Sequence, residues 1–490
     1  MKKSINAPSG AASSGAGQSD AVQQDETIAA ISTPLGEGGI GIVRLSGLTA
    51  ERILTTLFRG PGGKPRKKFE SHKVNYGYVV DENGHRIEEV MATLMRAPLT
   101  YTREDVVEIS CHGGSAALKK VLRRTLQLGA RMADPGEFSK RAFINGRIDL
   151  LQAEAIIDLI RTKSEKGWTT AFSQLDGRLS HAVNEMEELL IGILADVEVS
   201  IDFPDEEIEI IDNSLLRRKI QELKQKVINI TDTYHVGRVY REGVAVAIAG
   251  RPNVGKSSLM NALLQRERAI VTPHPGTTRD TIEETLHVDG IAIRLVDTAG
   301  VRNTEDPAEA AGIGRTIMAI EDADIVLIMF DGSREWSGED ELALERITRL
   351  EAQGKSMIPV INKSDLEQKL NAGHLKGTDR EPSFSSDPIP VSAKTGEGME
   401  MIKQRINDMI DTMGEKMSEG PVLTRERHLE KFREIEQSLD NAANALERGL
   451  TREYIAADLQ DARQALQELT GKVVEDSILE KIFSDFCIGK

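Results

Sequence analysis

The fold of the central part of the chain is indicated by one stretch of sequence, Gly250-Arg-Pro-Asn-Val-Gly255-Lys256-Ser257. Its spacing, G-x-x-x-x-G-K-[ST], is that of a phosphate-binding loop, and it lies between an apolar strand, VAVAIA, and a helical segment, SSLMNALL. In that context backbone amides and the helix N-terminus face phosphate oxygens, Lys256 places a charge on the outer phosphates and Ser257 offers a hydroxyl to Mg²⁺. The sequence therefore predicts an α/β domain with a nucleotide site.

Three later motifs identify the nucleotide. Asp297-Thr-Ala-Gly300 ends the strand IAIRLV and provides a carboxylate for the Mg²⁺ shell and a glycine that can follow the γ-phosphate. Asn362-Lys-Ser-Asp365 follows MIPVI, and Ser392-Ala-Lys394 follows PIPV. An aspartate carboxylate accepts hydrogen bonds from N1–H and the 2-amino group of guanine, whereas adenine offers it mismatched groups. The order of these motifs predicts a GTPase domain.

The loop after Asp297 lacks the glutamine that orients the attacking water in Ras-like GTPases, because Val301 follows Gly300. Another group must therefore position the attacking water, and a positive charge must compensate the negative charge on the phosphates. Asn253 and the segment Thr272-Pro-His-Pro-Gly276 offer amide and carbonyl oxygens, which suit a hard monovalent cation. The alternative, in which Asn253 only shapes the loop, stays open.

Composition limits the class of protein. The chain has 490 residues, enough for about three domains, and a formal net charge of -16, which excludes a uniformly basic nucleic-acid binder. Any RNA contact must be local, and the basic run Lys64-Pro-Arg-Lys-Lys68 is either such a contact or a solvated surface. Two cysteines and no apolar run of membrane-spanning length predict a soluble, cytoplasmic chain.

Changes in periodicity predict the domain order. Residues 1–25 are a disordered tail rich in Ser, Gly and Ala, 26–147 an α+β module, 148–242 a helical part, 243–412 an inserted GTPase domain, and 413–490 a second helical part with a CIGK tail. In the last part an apolar stripe, closed by Gly471, comprises Ile455, Leu459, Ala462, Leu466 and Leu469. One interrupted helical domain is the economical interpretation, and two independent bundles are the alternative.

Several further motifs carry a resemblance. They are Gly38–Arg44, Pro135–Phe138, Asp202–Glu207, Thr277-Thr-Arg-Asp280 and Cys487–Lys490. With the GTPase motifs they make the chain, over about residues 26 to 490, resemble the MnmE (TrmE) family of tRNA modification GTPases. The resemblance implies a multidomain fold with an N-terminal α+β tetrahydrofolate-binding module, an all-α helical domain and an inserted Ras-like α/β P-loop GTPase domain.

The resemblance also implies a folate site and a homodimer joined through the N-terminal domains. Arg44, Glu108, Arg147 and Lys490 match the family positions that contact a tetrahydrofolate derivative, 5-formyl- or methylene-tetrahydrofolate. Arginine at 147 keeps the charge of a position that is often lysine. Cations suit the glutamate carboxylates of folate, and a carboxylate suits the amino-pyrimidine edge. Cys487 is either a reactive thiol beside the folate or a small packed hydrophobe.

Ion-binding and catalytic positions are carried over in the same way. Asn253, Thr272, His274 and Thr277 match the surroundings of a potassium ion, and Ser257 with Thr278 would bind Mg²⁺. The implied catalytic residues are Asn253, Lys256 and Glu309, with Glu309 orienting the water that Val301 cannot. The implied nucleotide-binding residues are Asn253, Val254, Gly255, Lys256, Ser257, Ser258, Thr272, Thr277, Thr278, Asp297, Thr298, Ala299, Gly300, Asn362, Lys363, Asp365, Ser392, Ala393 and Lys394.

The resemblance implies a potassium-activated GTPase that acts on tRNA. With a flavoprotein partner, MnmG (GidA), in a heterotetramer or larger complex, such proteins install an aminomethyl-type group at C5 of the wobble uridine (position 34) of certain tRNAs, away from any membrane. Two other hypotheses are a regulatory GTPase whose flanking domains only dock RNA, and a stand-alone folate one-carbon transferase with a vestigial switch. Convergence of Arg44, Glu108, Arg147 and Lys490 on one site would favour the first interpretation over the docking module.

Overall fold

The computed structural model describes residues 26–34, 36–202, 212–265, 283–297, 323–338, 340–341, 356–370, 387–414 and 420–490. The predicted tail 1–25, most of the acidic run from Asp202, and several predicted site residues lie outside these ranges. Those site residues are Thr272, His274, Thr277, Thr278, Thr298, Ala299, Gly300 and Glu309. The described residues form two compact units, one up to Ile157 together with Val474–Lys490, the other Asp158–Val473.

The first unit is built on a seven-stranded sheet in the order β3-β4-β5-β6-β2-β1-β7. Its strands are β1 Ile28–Ile31, β2 Ile40–Ser46, β3 Phe58–Arg59, β4 Lys73–Val80, β5 Arg86–Met95, β6 Val106–His112 and β7 Arg131–Met132. Helices α1, Ala50–Leu57, and α2, Ser115–Gln127, cover one face, where Val43 and Leu45 are buried. Because side chains alternate along a strand, Arg44 lies on the opposite face. The unit also contains α3, Glu137–Ile144, and α13, Asp476–Ser484.

A helical bundle belongs to the second unit. Its helices are α5 Glu165–Leu175, α6 Arg178–Asp202, α7 Asn213–Thr231, α8 Tyr234–Glu242, α11 Glu426–Glu447 and α12 Arg452–Thr470, preceded by α4 Leu150–Arg161. Helices α11 and α12 pack against α7 and α6, so segments from both sides of the inserted domain share one core. All five members of the predicted apolar stripe on α12 are buried, and Gly471 ends the helix with φ 80°, as predicted.

Buried ion pairs tie the bundle together. The Asp158 carboxylate accepts a hydrogen bond from Arg241 Nε at 3.0 Å and one from Arg425 Nη2 at 2.7 Å. These residues lie near the ends of α4 and α8 and at the start of α11. A buried carboxylate with two such partners is costly to break, since removing one partner leaves an uncompensated charge. Asp158 therefore fixes the junction of three helices.

The inserted domain has a six-stranded sheet in the order β13-β12-β11-β8-β10-β9, in which only the edge strand β9 is antiparallel. The strands are β8 Val244–Gly250, β9 Glu283–Val288, β10 Ile291–Asp297, β11 Ile325–Asp331, β12 Ser356–Asn362 and β13 Ile389–Pro390. Helices α9, Lys256–Gln265, and α10, Met399–Gly414, follow β8 and β13. The predicted strand, glycine turn and helix are confirmed, and the carboxyl ends of β8, β10 and β12 meet at one edge of the sheet.

Two contacts hold the inserted domain on the helical bundle. Arg238 of α8 pairs with Asp324, whose carboxylate also accepts a hydrogen bond from Ala245 N at 2.9 Å. Lys166 N of α5 donates to Gly290 O at 3.0 Å, at the turn between β9 and β10. One contact lies just before β11, and the other lies at the turn between β9 and β10.

Within the described part of the chain, no helix has both the length and the apolar composition needed to cross a bilayer.

Candidate functional site

The phosphate-binding loop has the backbone shape that its motif predicts. Gly250, Asn253 and Gly255 have φ values of 150°, 63° and 100°. A Cβ atom on Gly255 would lie 2.4 Å from Asn362 Nδ2, and one on Gly250 would lie 2.6 Å from Met329 O. Larger residues are therefore excluded at both glycines by contact as well as by conformation.

The first residue of α9 brings a cation into this loop. Lys256 Nζ donates hydrogen bonds to Gly250 O at 2.8 Å and to Arg251 O at 3.0 Å, while Ser257 and Ser258 are exposed beside it. An ammonium group and a helix N-terminus then face the same space. This arrangement fits a phosphate group, and the role of Ser257 as a Mg²⁺ ligand stays a prediction.

Asn362 joins the phosphate-binding loop to both predicted guanine loops. Its side chain is 3% exposed, its Nδ2 donates to Val254 O at 2.7 Å, and its Oδ1 accepts from Ala393 N at 3.0 Å. Two hydrogen bonds from one buried amide fix the relative positions of three chain segments. The structure thus brings together the predicted residues Asn253–Ser258, Asn362–Asp365 and Ser392–Lys394.

The carboxylate of Asp365 is held by its neighbour loop. Ser392 Oγ donates to Asp365 Oδ1 at 2.7 Å and itself accepts from Thr395 N at 3.1 Å. The ladder continues where Ser364 N donates to Val391 O at 3.0 Å. A carboxylate oriented in this way is suited to reading the edge of a base, because little reorganisation is needed on binding.

Two side chains near the nucleotide site, those of Asp331 and Arg251, were not predicted. Lys363, with φ 67°, pairs with Asp331 at 2.6 Å. Burial raises the pKa of Asp331, but hydrogen bonds from Lys363 and Ser333 outweigh it and lower the pKa below the ordinary 3.8. Arg251 Nη1 donates to Asp340 Oδ2 and to Ser337 Oγ, both at 2.6 Å. The acidic end of the apolar strand IVLIMFD was the only sequence signal for Asp331.

Asp297 and Asn253 are placed by the backbone. Asp297 ends β10, level with Ile248 on the neighbouring strand β8, so its main chain lies beside the phosphate-binding loop. Asn253 is exposed in the loop, and its side chain hydrogen-bonds to no described residue. The remaining predicted ligands of the ion site lie outside the described residues. The part of Asn253 in an ion site stays a prediction.

A second cluster lies in the first unit and includes the four predicted folate residues. Arg44 and Glu108 stand opposite each other on β2 and β6, with Arg44 Nε donating to Glu108 Oε1 at 3.0 Å. Arg147 lies over the ring of Tyr101 at 4.9 Å, and Arg44 lies 5.7 Å from the same ring. Tyr101 was not predicted, since a tyrosine between strands carries no distinctive pattern.

The environment of Tyr101 is enclosed. Burial raises the pKa of its hydroxyl, although Ser139 and the two nearby arginines act in the opposite direction. Its hydroxyl lies 2.7 Å from Ser139 Oγ. A partly buried ring near two guanidinium groups forms a cation-lined surface, which suits a planar ligand that carries negative charge.

The C-terminal tail closes this cluster. Arg44 Nη1 donates to Gly489 O at 3.2 Å, and Ile488 forms a bridge to Pro135. Burial lowers the pKa of Lys490, and the positive charge of Arg44 lowers it further. Three cations, Arg44, Arg147 and Lys490, thus accompany the carboxylate of Glu108. This excess of positive charge fits a ligand with carboxylates.

The two cysteines differ in environment. Cys111 is buried, and burial together with the charge of Glu88 raises the pKa of its thiol to about 11. Cys487 is exposed in the tail. Exposure excludes the interpretation of Cys487 as a packed hydrophobe, while its reactivity stays a prediction.

Comparisons with known proteins cover nearly the whole chain. A model described as GTP-binding protein TrmE N-terminus matches residues 27–147, and one described as MnmE helical domain matches residues 150–487. The tRNA modification GTPase MnmE of Alkaliphilus oremlandii (strain OhILAs) is 43% identical over 467 residues, which are 95% of this chain and 99% of that protein. The protein of the same name from Lactiplantibacillus plantarum is 43% identical over 95% of this chain and 98% of its own length. Among solved structures, the G domain of the T. maritima FeoB iron transporter is 29% identical, covering 34% of this chain and 97% of that one, with a TM-score of 0.24.

Proposed function

The chain belongs to the MnmE (TrmE) family of tRNA modification GTPases, and from that premise we propose that it is a potassium-activated GTPase that works with a flavoprotein partner on the wobble uridine of certain tRNAs. It is a GTP hydrolase that acts in tRNA modification. The product is an aminomethyl-type group at C5 of uridine 34, and a tetrahydrofolate derivative is the one-carbon donor. The observation that carries the nucleotide part is the buried amide of Asn362, which joins the phosphate-binding loop to the guanine loops.

Nucleotide selection follows from the held carboxylate of Asp365. It accepts two hydrogen bonds from guanine, and an adenine in the same place would leave it with mismatched partners. Lys256 exchanges its two carbonyl partners for phosphate oxygens when GTP binds, because a charged acceptor makes the stronger hydrogen bond. Asp365 thus sets base choice in the ground state, and Lys256 holds the phosphates.

Hydrolysis is assigned to residues around the γ-phosphate. Ser257 and Thr278 would hold Mg²⁺, and Asn253, Thr272, His274 and Thr277 would surround K⁺. When bound, the two cations compensate the charge on the phosphates. Glu309 orients the attacking water, since Val301 cannot hydrogen-bond to it. The exposed amide of Asn253 in the phosphate-binding loop supports its part in this assignment.

The folate site is assigned to the cluster around Tyr101. Arg44, Arg147 and Lys490 would bind the glutamate carboxylates, and Glu108 would accept from the amino-pyrimidine edge. When bound, the cofactor supplies the one-carbon unit. Tyr101 offers a partly buried ring against which a planar ligand can stack. Exposed Cys487 would then stand at the mouth of this site.

The proposed assembly is a homodimer through the N-terminal domains, joined by the flavoprotein MnmG (GidA) in a heterotetramer or larger complex. The flavoprotein would bring the FAD on which the chemistry of the family also depends. Cycles of GTP binding and hydrolysis would bring the GTPase domains together and apart and so switch the folate site.

Nucleoside analysis of tRNA tests the proposal. Mass spectrometry of tRNA from a strain that lacks the chain should show loss of the modified wobble uridine, and the wild-type gene should restore it. With purified protein, Asp365→Asn should shift preference from GTP toward XTP, because an amide can pair with the carbonyl at C2 of xanthine. Glu367→Gln, in the same exposed loop, is the control and should keep GTP. Normal wobble nucleosides in the deletion strain would refute the proposal.

A further inference from the structure

An exposed cationic loop joins β3 to β4. Lys64, Arg66, Lys67 and Lys68, which we call the cationic loop, are all exposed, with Pro65 between the first two. Among the described residues, none of the four forms an ion pair, and the neighbouring Glu70 pairs with Lys73 instead. Four positive charges within five residues contrast with a net charge of -16 for the whole chain. The cationic loop is therefore a positively charged patch on a protein whose net charge is negative.

The backbone of the cationic loop is held in place. Gly60 N donates to Lys64 O at 3.0 Å, and Pro65 forms a bridge with Arg59. Beyond the loop, Phe69 is buried and packs edge to face on Phe58, with ring centroids 5.4 Å apart. A loop that is anchored at both ends loses little conformational entropy when it binds a partner, so its charges are preorganised.

Arg66 differs from the three lysines. Its guanidinium lies over the ring of Phe69 at 5.6 Å, and its Nε donates to Lys68 O at 3.1 Å. Arg66 thus stabilises the loop itself, whereas the side chains of Lys64, Lys67 and Lys68 make no contact that would use their charge. The three lysines are the groups available to a ligand.

The chemistry of the loop favours a phosphate backbone over a protein surface. Residues 60–68 contain only Gly, Pro, Lys and Arg, so no large apolar side chain is exposed there. Protein interfaces have an apolar or aromatic centre and are depleted in lysine. Nucleic-acid backbones are bound by lysine and arginine without an apolar centre. The loop also connects to β3, the edge strand of its sheet.

We propose that the cationic loop docks the phosphate backbone of the substrate tRNA, an assignment that rests on the proposed function. The contact supplies affinity and orientation and reads no sequence. A contact at this loop also explains how a protein of negative net charge can bind a polyanionic tRNA, because the attraction is confined to one edge of the sheet.

Charge removal on the full chain tests the assignment. The triple variant Lys64→Gln, Lys67→Gln, Lys68→Gln leaves Arg66 to hold the loop. The control, Lys120→Gln, Lys226→Gln, Arg433→Gln, removes the same charge from exposed positions on α2, α7 and α11. Fluorescence anisotropy measures binding of a labelled tRNA with a wobble uridine, in the presence of the flavoprotein partner, from about 50 to about 200 mM salt.

We expect the triple variant to bind at least about tenfold more weakly at low salt, with a slope of log K against log salt that is shallower by about two to three. The control should match the wild type. Turnover of GTP without tRNA should be unchanged in both variants, because the cationic loop is not part of the nucleotide site.

Two results would overturn the assignment while leaving the proposed function intact. One is a triple variant with the affinity and salt slope of the control, in a system where the wild type modifies tRNA. The other is a triple variant that binds tRNA normally and loses binding to the flavoprotein, which would assign the loop to an acidic protein surface. A wild-type complex that neither binds nor modifies tRNA would refute the proposed function, and the docking surface with it.

Discussion

Gly489 offers a sharp test of the tail's part in the proposed folate site. Its φ is 96°, and a Cβ atom there would lie 2.4 Å from Ile31 O and 2.9 Å from Ser32 Cα. Both neighbours are backbone atoms of the first strand and the residue after it, so no side-chain rotation relieves the contact. Gly489→Ala must therefore displace the tail.

The size of the effect follows from the contacts that the tail makes. An alanine in the left-handed region costs about 1–2 kcal/mol. Displacement also breaks the hydrogen bond from Arg44 Nη1 to Gly489 O, and hydrogen bonds to charged groups contribute about 1.5–3 kcal/mol. The tail can be displaced without unfolding the sheet, because Gly489 belongs to none of its strands. The hydrogen bond alone, at 1.4 kcal/mol for each factor of about ten, sets the expected loss: folate binding, which we propose depends on Lys490, should weaken by at least roughly tenfold to a hundredfold.

Isothermal titration of 5-formyl-tetrahydrofolate measures this loss. Gly84→Ala is the matched control, since its φ is 83° and no atom lies within 4 Å of a Cβ atom there. It carries the same backbone strain without the clash, so it should lower the melting temperature by about 2–4 °C per kcal/mol and leave folate affinity unchanged. GTP hydrolysis should be unchanged in both variants, because the nucleotide site is in the other unit.

Wild-type folate affinity in Gly489→Ala would refute the reasoning. Equal losses in both glycine variants would assign the effect to general strain rather than to the tail. Deleting Cys487–Lys490 must reproduce the loss and abolish tRNA modification, and full modification by the truncated protein would return us to the docking-module hypothesis.

Three further predictions concern ions, catalysis and pH. GTP turnover should be faster in KCl than in matched NaCl, and Asn253→Ala should remove the difference; equal rates in both salts for the wild type would exclude a potassium site. Glu309→Ala should bind GTP with normal affinity and hydrolyse it slowly in single-turnover assays, because its contact with water belongs to the transition state; a raised dissociation constant with intact turnover would contradict this role. Burial raises the pKa of Glu137, but hydrogen bonds from Arg131, Asp134 N and Arg141 together lower this pKa below 4.5. The ionised carboxylate of Glu137 therefore stabilises the fold above pH 4.5. This stabilisation is lost as the pH falls through the lowered pKa. Thermal unfolding between pH 7 and 3 should show this loss in the wild type, and Glu137→Gln, already destabilised at neutral pH, should show a smaller fall.

The nucleotide site could be predicted from short stretches of sequence. The phosphate-binding loop, its flanking strand and helix, and the guanine loops each depend on a few consecutive residues. Recognition of phosphate by backbone amides is encoded in local spacing, so it needs no knowledge of distant contacts. The apolar stripe of α12 was predictable for the same reason, since helical periodicity is local and Gly471 marks its end.

The contacts between residues that are distant in sequence became visible only in the three-dimensional structure. Tyr101 was identified as part of the proposed folate cluster because Arg44 and Arg147 both lie near its ring. The role of Asp158 was identified only from its hydrogen bonds with Arg241 and Arg425. Resemblance suggested Arg44 and Glu108, but strand register places them opposite each other. Register and helix packing depend on the whole core, because a shift of one residue turns every side chain of a strand to the other face.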